Sequence, residues 1–343
     1  MNKKPGSFPT IHFANIFFEE ELKSPQKSLK ELLYSHPIYL QLQYLPSLYK
    51  KKEDFFLASS PFFGSLPLFS DKPLKGKLES WAPSLALKEY ASKKGLSYEI
   101  PPWDLVKKVH RKDFRYDYLF EKEFGELFWD FDKLLHWVKK SPFPKVLKKT
   151  LSKAGRGHLV LLSLPKKLEE KLKVFCQNDF PILAEPWFKR VLDFSSQWEI
   201  SPKGEIQLLG TTLLKNNQQG VYLSSQVGEE KKLFGSFLPF VKKHLLFVEN
   251  VCKDLRKKGF FGNLGIDAFV YEKENQFFLH PLVEINARKT MGYVALQFQQ
   301  HSFPGKTLRL SYLPSRQKIT SKNLLPEKIE TTTFPRALHY QIH

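Results

Sequence analysis

Four polar side chains interrupt apolar sequence in the C-terminal third of the chain. Asp267 follows a Gly-Ile pair, and Glu284, Asn286 and Arg288 alternate along a second apolar stretch. Side chains two apart on a strand share one face, so Glu284, Asn286 and Arg288 should project together. Carboxylate and amide oxygens are the hard ligands that Mg²⁺ prefers. We therefore predict Asp267, Glu284 and Asn286 as metal ligands of a magnesium-nucleotide site, with Arg288 as a planar fork for phosphate oxygens.

Two neighbouring strands must position these groups. Apolar and other residues alternate over 266–271, a second apolar run covers 277–285, and the polar segment 272–276 separates them, which predicts a hairpin. A carboxylate inside an apolar strand loses hydration and needs a cation or donors to remain charged. The alternative is that Asp267 and Glu284 are solvent-facing or salt-bridged strand residues, the commoner case for such residues taken singly.

The pattern Gly-Ile-Asp, a hairpin-like stretch and then Leu-Val-Glu-Ile-Asn-Ala-Arg resembles the metal-binding end of the ATP-grasp superfamily, which includes D-alanine:D-alanine ligase and biotin carboxylase. The resemblance implies an α/β and α+β chain. It implies an ATP-grasp fold, in which two α+β subdomains clasp ATP, preceded by a Rossmann-like pre-ATP-grasp domain. ATP and Mg²⁺, with Mn²⁺ as a substitute, are the implied cofactors.

A glycine-bearing loop at 152–158 lies between two predicted strands. Gly155 and Gly157 permit close backbone approach and positive φ, and Arg156 offers charge to an anion. An ordinary hairpin turn would also use Gly-Arg-Gly. By resemblance, this loop is the lid that closes over the triphosphate, and Gly155, Arg156 and Gly157 belong to the nucleotide site.

The resemblance also assigns two lysines to the phosphates. Lys148, at the end of the first predicted strand, would be one of them, although Lys145 and Lys149 are close alternatives. Lys112 lies in the segment 106–114, which is predicted to open a helix, and resembles the basic residue ahead of the first subdomain. A surface lysine is the alternative for Lys112 in a chain this rich in lysine.

The segment 180–200 resembles the hinge that holds adenine between the two subdomains. Glu185 would receive the exocyclic amine, Trp187 and Phe188 would supply backbone contacts or apolar walls, and Asp193 would bind the ribose. Pro186 has no N–H, so the backbone donor to adenine must come from Trp187 or Phe188. Either aromatic residue could instead be an ordinary member of the core.

These landmarks divide the chain into four segments. We predict an N-terminal α/β domain at 1–105, an ATP-grasp N-subdomain with the lid loop at 106–180, a C-subdomain with the metal site at 181–313 and a polar, patternless tail at 314–343. Helices are predicted at 127–138 and 236–257, the second with Pro239 in its first turn.

Composition is consistent with a large globular chain. The 343 residues are 42% hydrophobic and include 31 Phe, which favours a globular chain over a disordered one. Cys176 and Cys252 lie in unrelated contexts, so neither a disulfide framework nor a zinc site is indicated, and we expect a cytoplasmic location. The N-terminus does not read as a signal peptide, and no segment has the apolar length of a membrane span.

The formal net charge of +19 raises the alternative of a nucleic-acid partner. The lysines are spread along the chain without a tail or stripe, and only nine of the 54 basic residues are arginine, the residue favoured for base readout and phosphate clamping. We therefore do not expect nucleic acid as a partner. An acidic substrate explains the excess at least as well.

The implied reaction is a ligation in which a carboxylate attacks the γ-phosphate of ATP and an amine captures the acyl phosphate. Arg288 and Lys148 are the predicted catalytic residues, and a small carboxylate and an amine are the predicted partners. Two other classes stay open: a kinase of the same fold acting on a hydroxyl, and a non-enzymatic basic nucleic-acid-binding or scaffold protein. Homodimers are common among relatives, and no sequence feature tests that.

Overall fold

The structure is a computed structural model that describes residues 8–60, 62–119, 122–151, 157–177, 179–217, 221–315 and 323–343. Within these ranges, two sheets of four strands and one of seven strands form the framework, with a two-stranded ribbon beside them. None of the helices in these ranges combines the length and the apolar character needed to cross a bilayer.

The first sheet is entirely parallel and belongs to the N-terminal part of the chain. Its strands and the helices around it are β1 (Thr10–Phe13), α1 (Phe18–Lys23), α2 (Leu29–Tyr34), α3 (Pro37–Leu42), α4 (Pro46–Tyr49), β2 (Phe55–Ala58), β3 (Leu66–Pro67), β4 (Lys77–Ser80), α5 (Leu85–Lys94) and α6 (Trp103–His110). The strand order is β3-β2-β1-β4. Parallel neighbours require crossover connections, and α1 to α4 lie in the connection between β1 and β2.

The second sheet is antiparallel and forms a small unit in the middle of the chain. Two 3₁₀ helices, Lys112–Asp117 and Lys122–Phe124, lead into β5 (Glu126–Phe128), α7 (Phe131–Lys140), β6 (Lys145–Lys149), β7 (His158–Leu161), α8 (Leu168–Cys176) and β8 (Ile182–Pro186). The order is β5-β8-β6-β7. The core of this unit is formed by leucine and valine side chains of α7, β6 and α8.

Two helix predictions need correction in this region. The segment 127–138 is not one helix: β5 comes first, and Asp130 caps α7 by accepting a hydrogen bond from Lys133 N at 2.9 Å, so the helix begins at Phe131. The segment around Lys112 does not open a helix either. α6 ends at His110, and Lys112 begins the first 3₁₀ helix.

The third sheet is the largest and is antiparallel. Its strands and the helices between them are β9 (Lys189–Ile200), β10 (Ile206–Asn216), β11 (Tyr222–Val227), α9 (Glu230–Phe234), a 3₁₀ helix (Gly235–Phe237), α10 (Leu238–Lys257), β12 (Gly262–Lys273), β13 (Gln276–Asn286), α11 (Met291–Ser302), β14 (Leu308–Pro314) and β17 (Arg336–Ile342). The separate ribbon consists of β15 (Lys328–Ile329) and β16 (Thr332–Thr333). The order is β13-β12-β9-β10-β11-β14-β17. The predicted hairpin is thus β12–β13, and the predicted helix at 236–257 is α10 with Pro239 in its first turn.

The end of the chain is not a patternless tail. β17 pairs with β14 along its whole length, from Leu308 opposite Ile342 to Pro314 opposite Arg336, and closes the edge of the third sheet. Apolar alternation does not reveal this strand, because His339 is buried there beside Ala337 and Leu338.

One core joins the N-terminal sheet to the third sheet. Buried Phe18, Tyr44 and Phe56 from the N-terminal part belong to the same apolar cluster as Ile266 and Leu310 from the third sheet. The N-terminal part is therefore packed directly on the third sheet, and it forms one wall of the space above that sheet.

Candidate functional site

The three predicted metal ligands converge on one face of the third sheet. Asp267 on β12 lies directly opposite Glu284 on β13. Opposite residues of an antiparallel pair project to the same side, with Cβ atoms about 4.5–5.5 Å apart. Asn286 lies two residues further along β13, and its Nδ2 donates to Asp267 Oδ2 at 3.4 Å. The amide oxygen of Asn286 is thereby left for another partner.

An irregularity in the β12–β13 ladder lies next to these groups. The register shifts between Asp267 and Phe269, so that Phe269 pairs with His280 while Asp267 pairs with Glu284. Pro281 falls in the shifted segment, where its missing N–H costs no ladder bond. Bulges of this kind are common beside functional sites because they re-aim a side chain.

The electrostatics of the carboxylate pair suit a divalent cation. Burial, followed by the nearby Glu284 carboxylate, raises the pKa of Asp267. Burial also opposes ionisation of Glu284, but Lys112, whose Nζ lies 3.4 Å from Glu284 Oε2, together with Lys148 and other nearby charges outweighs it and lowers the pKa of Glu284. Two buried carboxylates that face each other repel, and a cation between them would remove the repulsion.

The donor set fits Mg²⁺ with ATP better than a metal held by protein alone. In the described ranges, no three His, Cys, Asp or Glu side chains cluster so that they could hold a metal ion. Two carboxylates and one amide leave coordination positions for phosphates and water, which is how Mg²⁺ is usually bound beside nucleotides.

A cavity of about 430 Å³ opens above these residues, within the usual size range of ligand sites. It lies between the second and third sheets, and the N-terminal part of the chain closes one side. The predicted site residues that line it are Lys112, Lys148, Trp187, Asp193, Asp267, Glu284, Asn286 and Arg288.

The three lysine candidates of β6 differ in whether they line the cavity. Among the described residues, Lys148 lines the cavity, whereas Lys145 and Lys149 do not. Lys145 is fully buried elsewhere, and its Nζ donates to the Val138 and Ser141 carbonyl oxygens at the end of α7. Lys149 pairs with Asp179 on the surface. The alternation of β6 therefore leaves Lys148 as the lysine in contact with the cavity.

Lys148 belongs to a buried three-residue ion cluster. Its Nζ lies 2.7 Å from Glu185 Oε2, and Arg115 Nη2 lies 2.8 Å from Glu185 Oε1. Burial lowers the pKa of Lys148 to about 8 despite this partner. Burial works against the ionised form of Glu185, yet Arg115 and Lys148 outweigh it and lower its pKa. Glu185 is only 2% exposed and is not among the described residues that line the cavity.

Some residues of the predicted adenine hinge line the cavity, and others pack in the core. Trp187 lines the cavity, and its backbone N–H donates to the Pro144 carbonyl oxygen at 2.9 Å. The Phe188 ring packs against the Tyr271 ring, with 4.5 Å between the ring centroids. Phe188 is not among the described residues that line the cavity. Asp193 lines the cavity and accepts from Arg190 Nη1 at 3.0 Å.

The lid loop is described only at its end. Gly155 and Arg156 lie outside the described residues. Gly157 is described and has φ +75°, in the left-handed region that glycine adopts without a Cβ penalty. The assignment of this loop to the phosphates stays a prediction.

Glu19 is a cavity residue that sequence reasoning missed. It comes from α1 in the N-terminal part, and its Oε1 accepts from Arg288 Nε at 2.9 Å. Burial opposes the charge of Glu19, but Arg288 and His110 together outweigh it and hold the pKa of Glu19 well below the usual range. No local signal could have found this contact, because the two residues are separated by 269 positions.

Lys289 fixes the backbone next to Arg288. It is fully buried, pairs with Glu79, and has its Nζ over the Tyr49 and Tyr293 rings at 4.9 and 5.1 Å. Its backbone N–H donates to the Trp81 carbonyl oxygen at 2.9 Å. Lys289, the residue after Arg288, thus holds this segment against the N-terminal part.

Comparison with known proteins gives a structural likeness and no likeness in sequence. No protein-family model matches the chain, and no curated protein matches it. The ADP complex of N5-carboxyaminoimidazole ribonucleotide synthetase is 14% identical, with a TM-score of 0.59 over 100% of this chain and 94% of that chain. Biotin carboxylase from Campylobacter jejuni is 12% identical, with a TM-score of 0.55 over 98% and 88%.

A third solved structure agrees with these two. The N5-carboxyaminoimidazole synthetase of Staphylococcus aureus, in complex with ADP, is 11% identical, with a TM-score of 0.53 over 91% of this chain and 84% of that chain. Identity this low informs on the fold and not on the substrates. The two antiparallel sheets around the cavity and the likeness over the whole chain lead to one conclusion: this protein has the ATP-grasp fold.

Proposed function

We propose that the protein is an ATP- and Mg²⁺-dependent, ADP-forming ligase that activates a carboxylate as an acyl phosphate for capture by an amine. The observation that carries the proposal is the convergence of Asp267, Glu284 and Asn286 at a cavity between two antiparallel sheets. Solved structures with this fold hold ADP or ATP, which supports a nucleotide at the same place.

Each residue around the cavity has a role in this proposal. Asp267, Glu284 and Asn286 would hold Mg²⁺, or Mn²⁺ in its place, and the ion would neutralise the charge of the ATP phosphates. Lys112 and Lys148 would contact phosphate oxygens. Such a transfer depends on positioning and charge neutralisation more than on a covalent catalyst.

The nucleoside would lie at the Trp187 end of the cavity. Because the Trp187 N–H is donated to Pro144, we assign the backbone donor for adenine to Phe188. Asp193 would bind the ribose. Arg115 and Lys148 each pair with one oxygen of the Glu185 carboxylate. The predicted hydrogen bond from the exocyclic amine of adenine would therefore be accepted by an oxygen that already has a cationic partner.

The proposed reaction has two steps. A carboxylate oxygen attacks the γ-phosphorus while the bond to the ADP oxygen breaks, and the amine nitrogen then attacks the acyl carbon and releases inorganic phosphate. Arg288 would stabilise the charge on the transferred group, since its guanidinium lies at the cavity beside Glu284. Bicarbonate is the first carboxylate to test, because a solved structure of this fold, a biotin carboxylase domain, contains bicarbonate with MgADP.

The test is ADP formation with Mg²⁺, ATP, bicarbonate or other small carboxylates, and a panel of amines. Glu284→Gln should lower the rate about 100-fold, because it removes a charged ligand at the developing phosphoryl charge. Glu272→Gln is the matched control: Glu272 lies on β12, pairs with Lys189 at 2.9 Å and is not among the described lining residues.

Equal ADP formation by the wild type and Glu284→Gln would contradict the metal assignment. Detection of a stable phosphate ester instead of an amide would identify a kinase and overturn the ligase proposal. A cytoplasmic location and a homodimer remain predictions, and buried, unpaired Cys176 and Cys252 support the first of these.

A further inference from the structure

Part of the cavity lining comes from α3 and from the side of the third sheet away from β12 and β13, and we call this part of the cavity the far chamber. The residues that define it are Tyr39, Leu42, Leu45, Tyr222, Met291, Tyr312 and Arg336. Helix α3 and the chain following it cover the far chamber, and strands β11, β14 and β17 form its floor. Met291 is three residues after Arg288, so their Cα atoms are at most about 11 Å apart, and the Met291 side of the far chamber lies within that distance of Arg288.

The far chamber is lined mainly by apolar and aromatic side chains. Leu42 and Leu45 come from α3 and the chain after it, Tyr222 and Tyr312 from β11 and β14, and Met291 from the start of α11. Apolar surface of this kind favours an apolar body in the occupant, and methionine adapts its shape to such a body.

One cation in the far chamber has no acidic partner. Lys112, Lys148, Arg190 and Arg288, the other lysines and arginines of the described lining, each pair with a carboxylate. Arg336 has no such pair in the part of the chain that the structure describes. Its buried Nε atom also lacks a hydrogen-bond partner. A buried guanidinium N–H without an acceptor leaves room for one more partner, and an anion would match the charge as well as the hydrogen bond.

The position of Arg336 is fixed by a fully buried residue from the N-terminal part. Gln41 Nε2 donates to the Arg336 carbonyl oxygen at 2.9 Å, and Gln41 Oε1 accepts from Tyr312 Oη at 2.9 Å. The Arg336 guanidinium lies 4.7 Å from the centre of the Tyr312 ring and donates to the Tyr312 carbonyl oxygen. Arg336 is therefore a built feature of the far chamber and not a loose surface residue.

We propose that the far chamber binds the amine substrate, and that this amine carries an apolar body and a carboxylate that pairs with Arg336. The inference rests on the proposed ligase function and deepens it by naming the class of the second substrate. A single unpaired cation matches a monoanion better than a phosphate dianion, which would leave one charge buried without a partner.

Calorimetric binding in the presence of MgADP tests this assignment with three matched probes. Phenylalanine has both features, phenethylamine lacks the carboxylate, and glycine lacks the apolar body. We expect wild-type protein to bind phenylalanine at least about tenfold more tightly than either of the others, because phenethylamine loses a charge-assisted hydrogen bond and glycine loses the burial of an apolar side chain. Arg336→Gln should weaken phenylalanine binding about tenfold or more and change phenethylamine binding less than about twofold.

Two further variants test whether a general loss of structure causes the effect of Arg336→Gln. Arg336→Lys keeps the charge and should keep part of the preference for phenylalanine. Arg309→Gln on β14 is the matched control, because Arg309 donates to Gln226 at 3.0 Å and is absent from the described lining, and it should leave all three affinities unchanged.

The assignment is overturned if wild-type protein binds phenylalanine no more tightly than both other probes, which includes no binding of any probe, or if Arg336→Gln retains the preference. MgADP binding is measured in the same experiment. Normal MgADP binding without phenylalanine binding refutes the far chamber assignment alone, whereas loss of MgADP binding refutes the proposed function itself.

Discussion

At the scale of single residues, Glu185 compensates two buried cations at once. Lys148 and Arg115 approach its two oxygens from different elements, and Arg115, 1% exposed, also donates to the Phe124 carbonyl oxygen at 2.7 Å. Removing the single anion of such a cluster leaves buried charge without a partner, which costs more than the intact cluster contributes. Glu185 therefore has a structural role in holding Lys148 at the cavity.

We predict that Glu185→Gln lowers the free energy of unfolding by about 3–5 kcal/mol. Chemical denaturation measures the change. The exposed pair Lys232–Glu229 is the matched control, because both side chains are in solvent, and Glu229→Gln should leave the denaturation midpoint unchanged. Equal midpoints for Glu185→Gln and wild type would show that the cluster is not stabilising.

The site residues that could be predicted from the sequence are those with a clear signal in the adjacent sequence. Asp267, Glu284 and Asn286 interrupt apolar strands, so the cost of burying an unpaired carboxylate marks them. Glu19 and Arg115 carry no such local mark, because their partners Arg288 and Glu185 come from distant parts of the chain. Long-range pairing of this kind is fixed by the fold.

At the scale of elements, α10 is tied to the back of the third sheet by a buried histidine. His244 Nδ1 donates to the Pro281 carbonyl oxygen at 2.8 Å, and its Nε2 accepts from Ser196 Oγ at 2.7 Å. Trp198 Nε1 donates to the same hydroxyl at 2.8 Å. This arrangement requires a neutral imidazole, and burial lowers the pKa of His244 to about 4.

The His244 pKa predicts a loss of stability in acid. The unfolded chain takes up the proton near pH 6.5, whereas the folded chain does so only near pH 4, so stability is complete above pH 6.5 and falls between these values. The loss is about 1.4 kcal/mol per pH unit within this window. Unfolding curves from pH 7 to pH 4 measure it.

A variant separates this contribution from that of the carboxylates. His244→Gln should be less stable at pH 7 and show a shallower decline towards pH 4. Exposed His301→Gln is the control and should keep the wild-type decline. An unchanged slope in His244→Gln would mean that another group causes the acid sensitivity.

Helices and strands with a clear periodicity of apolar residues were predictable from the sequence. Strands that depend on pairing with a neighbouring strand were not. The alternation over 266–271 gave β12, and the apolar spacing and Pro239 gave α10. β17 was missed because buried His339 and exposed Gln341 hide its alternation. Edge strands depend on a neighbour for their hydrogen bonds, and sequence alone does not show that neighbour.

At the scale of the whole molecule, Gln41 joins the two ends of the chain. It lies on α3 in the N-terminal part, and its side chain bonds to the Pro326 and Arg336 carbonyl oxygens and to the Tyr312 hydroxyl. Together with the Glu19–Arg288 and Glu79–Lys289 pairs, these bonds hold the N-terminal part over the third sheet.

We predict that Gln41→Ala lowers the free energy of unfolding by about 2–4 kcal/mol, because it leaves buried acceptors and a hydroxyl without partners. Tyr312→Phe removes one of the same bonds and should cost about 1 kcal/mol. Equal costs for the two variants, measured by chemical denaturation, would show that Gln41 does not act as a multiple link.

We propose that Asp267, Glu284 and Asn286 bind a divalent cation that carries a nucleoside triphosphate. Titration of Mn²⁺, followed by the electron paramagnetic resonance signal of the free ion with and without ATP, tests this binding. We expect wild-type protein with ATP to remove Mn²⁺ from solution beyond what ATP alone removes, and we expect Glu284→Gln and Asn286→Ala to lose this excess while Glu272→Gln keeps it. An excess of the same size in all four proteins would show that these residues do not bind the cation.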